Sequence, residues 1–229
     1  MKKIAGVVKM VKTALVLFCG TKSIDRALEA EGFYVQSLDM DPKCNPTWCA
    51  NILEWENWRG IEPGTLDFIW ASPPCTQYSR ARTTARTPRD LHGADRIVYR
   101  TLEIITHLRP KAYLIENPQT GMLKDRVVLS HTCYRDVCYC RYSDGVNHTY
   151  RKATRLWGWL PTFQERPMCT RKNPCEFSRS GKHPTCAQRF CPDSAIRRHT
   201  LSDLYSMPKA LCESIAKAAA QYAEELSEA

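Results

Sequence analysis

Cys75 is the residue whose type and neighbours most clearly allow chemistry, because it follows two prolines in the sequence ASPPCTQYS. The preceding residues 67–71 form an apolar run with β-branched and aromatic members, which predicts a buried strand. Pro73 and Pro74 offer no amide hydrogen to a strand ladder, so they should end the strand in a stiff turn. A thiol held in one direction there could act as a nucleophile, although a lone cysteine is also a common core residue.

Glu116 and Asn117 follow a second apolar run, residues 112–115, and precede Pro118. The carboxyl ends of parallel strands meet at one edge of a sheet, where α/β proteins bind ligands, so we expect Glu116 beside Cys75. A carboxyl group at such an edge can be shielded from water, which raises its pKa. The alternative is that Glu116 is only a turn or helix-capping acid.

Asp39 ends another predicted strand, about 20 residues after the first turn of the chain, where nucleotide-binding folds hold a ribose. A role as a turn residue beside Pro42 explains Asp39 equally well.

The segment after Cys75 is rich in arginine and has no apolar period, which predicts an exposed basic loop. Its arginines are Arg80, Arg82, Arg86 and Arg89. We expect this loop to contact phosphate groups, and the alternative is a solvated surface loop.

Seven of the twelve cysteines lie between residues 133 and 191. Within that stretch the predicted metal ligands are Cys169, Cys175, His183, Cys186 and Cys191. Thiolates with an imidazole suit tetrahedral zinc, and a small segment with few apolar side chains would gain stability from such an ion. Because the segment has no CxxC pair, unliganded reduced cysteines are the alternative.

The chain of 229 residues carries a formal net charge of +9, which favours a polyanionic partner. No apolar run reaches about 18 residues, so a membrane-spanning helix is excluded. Lys9 and Lys12 interrupt the apolar start, which favours a core strand over a signal peptide. We therefore expect a cytoplasmic protein.

The elements that must position these residues alternate between apolar strands and amphipathic helices, which predicts an α/β fold with a largely parallel sheet. The predicted strands cover residues 13–18, 33–38, 51–52, 67–71, 112–115, 137–142 and 151–157, and the predicted helices cover residues 24–31, 95–108 and 208–226. Ser23 is expected to cap the first helix.

Several of these segments, in this order, resemble the motifs of one family, the DNA (cytosine-5) methyltransferases. LVLFCGTKS resembles the cofactor motif, ASPPCTQYS the proline-cysteine nucleophile motif and AYLIENP the Glu-Asn-Val motif. RKATR, at 151–155, resembles the Gln-Arg-x-Arg element, and LYSMPKALCESIAKA is similar to the last motif. The chain looks like a small, phage-like member, in a bacterial or phage-infected cell.

The resemblance implies a Rossmann-like, S-adenosylmethionine-dependent methyltransferase fold with a small cysteine-rich basic insertion. Residues 10–157 and 200–229 would form the catalytic domain, and residues 158–199 a target-recognition insertion. It also implies that Cys75 adds to carbon-6 of a flipped cytosine and that a methyl group is transferred to carbon-5 in DNA. Glu116, Asn117 and Arg155 would be the other catalytic residues.

The resemblance further implies a cofactor site and a DNA-contacting loop. The cofactor-binding residues would be Phe18, Gly20, Asp39, Asn51, Pro74, Tyr205 and Ser206, and the DNA-binding residues Ser79, Arg80, Arg82 and Arg86. Lys22 and Tyr205 depart from the family pattern, so a modified S-adenosylmethionine is the second candidate cofactor. An RNA (tRNA) cytosine-5 methyltransferase and a catalytically silent DNA-binding protein are the competing functions. We expect a monomer that does not bind membranes.

Overall fold

The computed structural model describes residues 11–83, 85–187 and 199–228. Its strands are β1 (Lys12–Leu17), β2 (Phe33–Asp39), β3 (Trp48–Cys49), β4 (Phe68–Ala71), β5 (Ala112–Pro118), β6 (Tyr134–Cys138) and β7 (Ala153–Trp159). Its α-helices are α1 (Ser23–Ala30), α2 (Leu91–Leu108), α3 (Leu201–Tyr205) and α4 (Lys209–Glu228). Short 3-10 turns cover Pro42–Cys44, Asn57–Gly60, Leu123–Asp125, Val127–Leu129 and Tyr139–Tyr142.

The seven strands form one sheet in the order β3-β2-β1-β4-β5-β7-β6. Strands β1 to β5 pair with one another in parallel, whereas β7 pairs antiparallel with both β5 and β6. The chain moves outward from β1 to β3 and then returns to β4 on the other side of β1. In open α/β sheets such a reversal of strand order leaves a ligand-binding crevice at the carboxyl ends of the two strands. That crevice lies between the end of β1 and the turn that holds Cys75.

The sheet is covered on both faces, which explains why β4 is apolar at every position. Phe68 and Trp70 pack in the cluster that contains residues of α1 and α4, while Ile69 and Ala71 pack in the cluster that contains residues of α2. Successive side chains of a strand point to opposite faces, so a strand covered on both sides reads as a continuous apolar run. The predicted α/β class is confirmed.

Two element boundaries and one helix cap differ from the sequence prediction for local reasons. The third strand is Trp48–Cys49 rather than 51–52, because Asn51 starts a turn in which its side chain accepts a hydrogen bond from the Leu53 amide (3.1 Å). Helix α2 begins at Leu91 rather than at residue 95, because the Asp90 carboxylate caps the Gly93 amide (2.7 Å). The expected Ser23 cap is wrong, since Lys22 occupies the N-cap with a φ of 56° and makes no side-chain capping bond.

The remaining differences come from pairing between distant segments. Strand β5 continues through Asn117 and Pro118 because it pairs with β7 as far as Thr154. Strand β6 covers Tyr134–Cys138 rather than 137–142, and β7 ends at Trp159, two residues beyond the predicted end of the first catalytic segment. Among the described residues, none of the helices has the length and apolar content needed to cross a membrane.

Candidate active site

The turn that carries Cys75 is braced by hydrogen bonds to two neighbouring strands. The Asn117 amide on β5 donates to the Pro73 carbonyl (2.8 Å), and the Ser72 hydroxyl donates to the Phe18 carbonyl after β1 (3.0 Å). Within the turn, the Tyr78 amide donates to the Cys75 carbonyl (3.0 Å). The prolines therefore end β4 as predicted, and the turn has little freedom to move.

Tyr78 fixes the far side of the same turn. Its ring is fully buried, and its hydroxyl donates to Asp95 on α2 (2.9 Å), which also forms an ion pair with Arg126 (2.5 Å). The Met122 amide donates to the Tyr78 carbonyl (2.9 Å). No local pattern in the sequence signalled this anchor, because its partners lie 17 to 48 residues further along the chain.

Glu116 lies at the end of β5 and is 8% exposed. Burial raises the pKa of this carboxyl group because it disfavours the charged form, while the Lys152 charge and a hydrogen bond from the Tyr139 hydroxyl (3.4 Å) partly oppose the rise. The pKa of the Cys75 thiol is also raised, first by burial and then by the Glu116 charge, with Lys152 acting in the opposite direction. The structure thus brings Cys75, Glu116 and Lys152 into one electrostatically coupled group.

Lys152 was not predicted as a site residue. Its ammonium group donates to the Leu204 carbonyl (3.0 Å) and lies 4.5 Å from the centre of the Tyr139 ring. The side chains at 152, 154 and 156 share one face of the chain by strand alternation, and Leu156 is directly opposite Glu116. This period of two was the signal that could have pointed to Lys152.

Arg155 is placed away from Glu116. It lies opposite Asn117 in the β5–β7 register, so its side chain occupies the other face of the sheet. Its guanidinium group forms an ion pair with Asp136 on β6 (2.7 and 2.9 Å) and stacks 3.6 Å from the centre of the Tyr134 ring. The charge that reaches Glu116 is therefore that of Lys152 rather than that of Arg155.

Four of the residues predicted to bind the cofactor lie at the carboxyl edge of β1, β2 and β3, namely Phe18, Gly20, Asp39 and Asn51. Asp39 accepts hydrogen bonds from the Gly20 amide (2.9 Å) and from the Asp41 amide (2.9 Å), and Phe18 and Gly20 both have positive φ. The Ala50 amide donates to the Asp39 carbonyl (3.0 Å), which brings Asn51 to the same edge.

The other predicted cofactor-binding residues are Pro74, Tyr205 and Ser206. Pro74 is exposed directly before Cys75, and Tyr205 is 62% exposed. The Ser206 hydroxyl donates to the Asp203 carbonyl (2.7 Å) and contacts His148 (3.1 Å). The next residue, Met207, donates its amide hydrogen to Ser23 on α1 (3.3 Å), so this segment does return to the first turn.

The predicted DNA-binding segment forms a loop without regular structure in its described part. Arg80 and Arg86 are exposed, and Arg80 pairs with Asp125 (3.0 Å). Arg82 bonds to Thr87 within the loop (2.7 Å to the hydroxyl). Arg89 instead braces the loop by donating to the carbonyls of Gln77 and Ser79.

The cysteine-rich segment brings together a different ligand set from the one predicted. The side chains that converge are Cys140, Cys169, Cys175 and His183, whose ligand atoms all lie within 4.8 Å of one another. Cys186 is outside this group, and Cys191 lies outside the described residues. Cys140 lies two residues after the end of β6, and its approach to Cys169 joins segments that are distant in the chain, which spacing alone cannot reveal.

Comparison with known proteins gives a consistent result. The family model for C-5 cytosine-specific DNA methylases matches residues 13–133. A protein of Frog virus 3 (isolate Goorha) described as a probable DNA (cytosine-5)-methyltransferase is 33% identical over 172 residues, which cover 70% of this chain and 76% of the viral protein.

The solved structures that align with this chain are more distant in sequence. A putative DNA modification methyltransferase encoded within an Escherichia coli prophage aligns with a TM-score of 0.48 at 14% identity, covering 71% of this chain and 53% of the other. The Entamoeba histolytica methyltransferase EhMeth aligns with a TM-score of 0.46 at 15% identity, covering 70% and 57%. This chain thus spans just over half the length of these two proteins.

Proposed function

Because the chain belongs to the C-5 cytosine-specific DNA methylase family, we propose that it transfers a methyl group from S-adenosylmethionine to carbon-5 of cytosine in DNA through Cys75. The observation that carries this proposal is the coupling of a rigidly held Cys75 to the buried Glu116 at the carboxyl edge of the sheet. S-adenosylmethionine is the cofactor of this family, and DNA is its substrate.

The chemistry requires both residues. Cytosine carbon-5 is a weak nucleophile, so the Cys75 thiolate first forms a bond to carbon-6 and its electron pair displaces ring electrons toward carbon-5. A protonated Glu116 donates a hydrogen bond to ring nitrogen 3, where negative charge develops. Methyl transfer to carbon-5 would break the carbon–sulfur bond of the sulfonium donor and leave a neutral thioether. Loss of the carbon-5 proton to water then returns an electron pair to the ring and releases the thiolate.

The raised pKa values support these roles. Burial raises the pKa of Glu116 and so favours its protonated form, which is the form that can donate. A neutral Glu116 also removes the negative charge that opposes ionisation of Cys75, and Lys152 favours that ionisation. The thiolate would therefore form most readily in the protonation state of Glu116 that the reaction needs.

We assign to Lys152 the stabilisation of charge on the cytosine carbonyl oxygen, the role that the family resemblance implied for Arg155. Lys152 acts electrostatically on both Cys75 and Glu116, whereas Arg155 is neutralised by Asp136 on the other face of the sheet. A cation beside the nucleophile stabilises the developing negative charge of the adduct.

The residues at the end of β1 fit the adenosine part of the cofactor. The first atom that a side chain at Gly20 would meet is the Phe18 carbonyl at 3.9 Å, so the space beside this turn is open. Each oxygen of Asp39 accepts one backbone hydrogen bond and keeps a lone pair for a ribose hydroxyl. When bound, S-adenosylmethionine supplies the electrophilic methyl group, and Phe18, Gly20 and Asp39 would hold its nucleoside.

Residues 158–199 are proposed to contact the target sequence, and the loop with Arg80, Arg82 and Arg86 to contact the DNA backbone. The target base must leave the duplex stack to reach Cys75, at a cost of a few kcal/mol, roughly that of unstacking one base. Exposed arginines beside the turn are suited to hold the distorted backbone. We also predict that the protein acts in the cytoplasm and as a monomer.

Trapping on a mechanism-based substrate tests the proposal. DNA that contains 5-fluorocytosine has no removable proton at carbon-5, so the chain should remain covalently attached after methyl transfer. We expect a stable protein–DNA adduct, its absence with Cys75→Ala, and no adduct with RNA of the same sequence. An adduct with RNA alone would move the substrate to RNA, and no adduct with either polymer would indicate a catalytically silent binding protein.

A further inference from the structure

We propose that Cys140, Cys169, Cys175 and His183 bind one structural zinc ion that joins the cysteine-rich segment to the catalytic sheet. This inference goes beyond methyl transfer and does not depend on it. Neither the family match nor the relatives' descriptions assign a metal to these residues.

The four side chains already approach the geometry of a tetrahedral site. The His183 ring nitrogen Nε2 lies 3.6 Å from the Cys169 sulfur and 3.2 Å from the Cys175 sulfur. Zinc bonds of about 2.3 Å to sulfur and about 2.0 Å to nitrogen place the ligand atoms of a tetrahedron roughly 3.5 to 3.8 Å apart. Since all four ligand atoms lie within 4.8 Å of one another, small inward shifts would complete the site.

The donor set and its burial favour a structural zinc over other ions. Three sulfurs and one imidazole are a common set for closed zinc sites, whereas calcium and magnesium prefer oxygen. Cys140 and Cys169 are each 1% exposed, and Cys175 is 5% exposed. Four protein ligands leave no position for water or substrate, so the ion would stabilise structure rather than catalyse a reaction.

Local turns present the ligands to one point. The Cys175 amide donates to the Cys169 sulfur (3.4 Å), a bond that a metal-bound thiolate would strengthen. Paired hydrogen bonds between Arg179 and Lys182 (2.8 and 2.9 Å) make a tight turn directly before His183. The first turn would keep Cys169 and Cys175 close together, and the second would present His183 to them.

The segment needs such a link because it has few other means of stability. Residues 160–187 contain no helix or strand longer than an isolated bridge. The apolar cluster around the thiols adds only Met168 and Phe177 to the cysteines themselves. A small segment without a core of its own commonly depends on a metal or a disulfide, and the described cysteines form no disulfide.

The site is also connected to the catalytic group. Cys140 directly follows Tyr139, whose hydroxyl donates to Glu116 (3.4 Å). Arg151, which directly precedes Lys152, donates to the Cys169 carbonyl (3.0 Å). The ion would therefore hold the segments that place Tyr139 and Lys152 beside Glu116.

Metal content of the unaltered chain gives the first test. The protein should be produced in medium that contains zinc, purified without chelator and examined by native mass spectrometry and elemental analysis. We expect one zinc ion per chain. Replacement by cobalt(II) should give the visible bands of a tetrahedral site and the ultraviolet charge-transfer absorption of cobalt–thiolate bonds. Absence of zinc, or a cobalt spectrum without thiolate bands, would overturn the proposal.

Single substitutions test the ligand set. Cys140→Ser and Cys175→Ser should each reduce zinc occupancy at least tenfold at a fixed competing chelator concentration. Cys49→Ser is the matched control at an exposed thiol outside the cluster, and Cys186→Ser separates this set from the one expected from spacing; both should keep one zinc ion. Loss of zinc from Cys186→Ser, or its retention in Cys140→Ser, contradicts the assignment.

The catalytic variant separates the two proposals. Cys75→Ala should lose the covalent DNA adduct and keep its zinc. A protein without zinc that still forms the adduct would refute the metal site alone, and a zinc-loaded protein without an adduct would refute the methyl transfer alone.

Discussion

At the scale of single residues, the proposed chemistry depends on the protonation state of Glu116. Its carboxyl group is buried, and its pKa lies above the ordinary value because burial disfavours the charge. For an acid whose folded pKa is raised, the neutral form is populated below that pKa and is lost as the pH rises through it. In the proposed mechanism Glu116 donates a hydrogen bond only in this neutral form, so we expect it to act on the acidic side of its own titration.

Glu116→Gln separates the donor role from the titration. The amide still donates a hydrogen bond but is a much weaker acid than a protonated carboxyl group, so it stabilises the charge on nitrogen 3 less well, and we expect the methylation rate to fall by up to about 100-fold, the scale of a donor removed outright. Wild-type activity should decline with rising pH as Glu116 ionises, and the variant should lack this decline. The measurement is the pH dependence of kcat. The same alkaline decline in both proteins would exclude Glu116 as its cause.

Substitutions of Lys152 and of Arg155 should affect different properties: the first should lower the reaction rate, and the second should lower stability. Lys152→Met should lower the rate of adduct formation about 100-fold, as for loss of one charge-stabilising group, and Lys152→Arg should restore part of it. Arg155→Met should change the rate per folded molecule less than threefold, roughly 0.6 kcal/mol. It should instead lower the melting temperature, because Asp136 loses its ion-pair partner. If Arg155→Met greatly lowered the rate of adduct formation and Lys152→Met left it unchanged, the role would belong to Arg155.

Asp25 on α1 predicts a pH dependence of stability that is independent of catalysis. It is 2% exposed, neither carboxylate oxygen has a hydrogen-bond partner among the described residues, and burial raises its pKa from 3.8 to about 6. The unfolded chain releases this proton first, so folding stability should fall as the pH rises from about 4 to about 6, by about 3 kcal/mol. Denaturant unfolding should show this loss in the wild type and a smaller one in Asp25→Asn.

At the scale of elements, the pairing of β5 with β7 completes the site. Gly158 on β7 has a φ of 134°, and a Cβ atom there would lie 2.2 Å from the Tyr113 carbonyl on β5. A side chain at this position must push the two strands apart.

Gly158→Ala should therefore destabilise the fold by at least about 2 kcal/mol, from backbone strain and the contact with β5. Gly60→Ala is the control, since a Cβ atom at that glycine meets no atom within 4 Å. Thermal or denaturant unfolding checks both variants. Equal stability of Gly158→Ala and the wild type would show that β7 can move away from β5 at no cost.

The same pairing marks the limit of what the sequence could predict. Cys75, Glu116 and Asp39 were predicted as site residues because each lies at or just beyond the end of a predicted strand, and the end of a strand is a local property. Lys152 and Cys140 were missed because they reach the site through the antiparallel pairs β5–β7 and β6–β7, which join residues 15 to 46 positions apart. Arg155 matched a motif, but the register placed its side chain on the other face.

At the scale of the whole molecule, the net charge of +9 should make DNA binding depend strongly on salt. Each arginine of the loop that contacts a phosphate adds about 0.9 to the slope of log Kd against log salt concentration on duplex DNA. Simultaneous replacement of Arg80, Arg82 and Arg86 by Ala should lower that slope by up to about 3 units.

The control for the salt measurement is Arg59→Ala, an exposed arginine whose charge is paired with Glu56 away from the loop. This variant should leave the slope unchanged. If the triple variant also keeps the wild-type slope, the loop is a solvated surface segment and the phosphate contacts lie elsewhere.

The position of β7 in the sheet also sets an order of assembly. Among the strands that the structure describes, β6 pairs only with β7, which comes later in the chain. Residues 134–138 therefore have no place in this sheet until residues 153–159 have joined β5. During synthesis, the thiol of Cys75 and the carboxyl group of Glu116 could meet as soon as β4 and β5 pair. Tyr139, Lys152 and the thiol cluster arrive only with the final two strands, so the newly made chain would carry its nucleophile before it could use it.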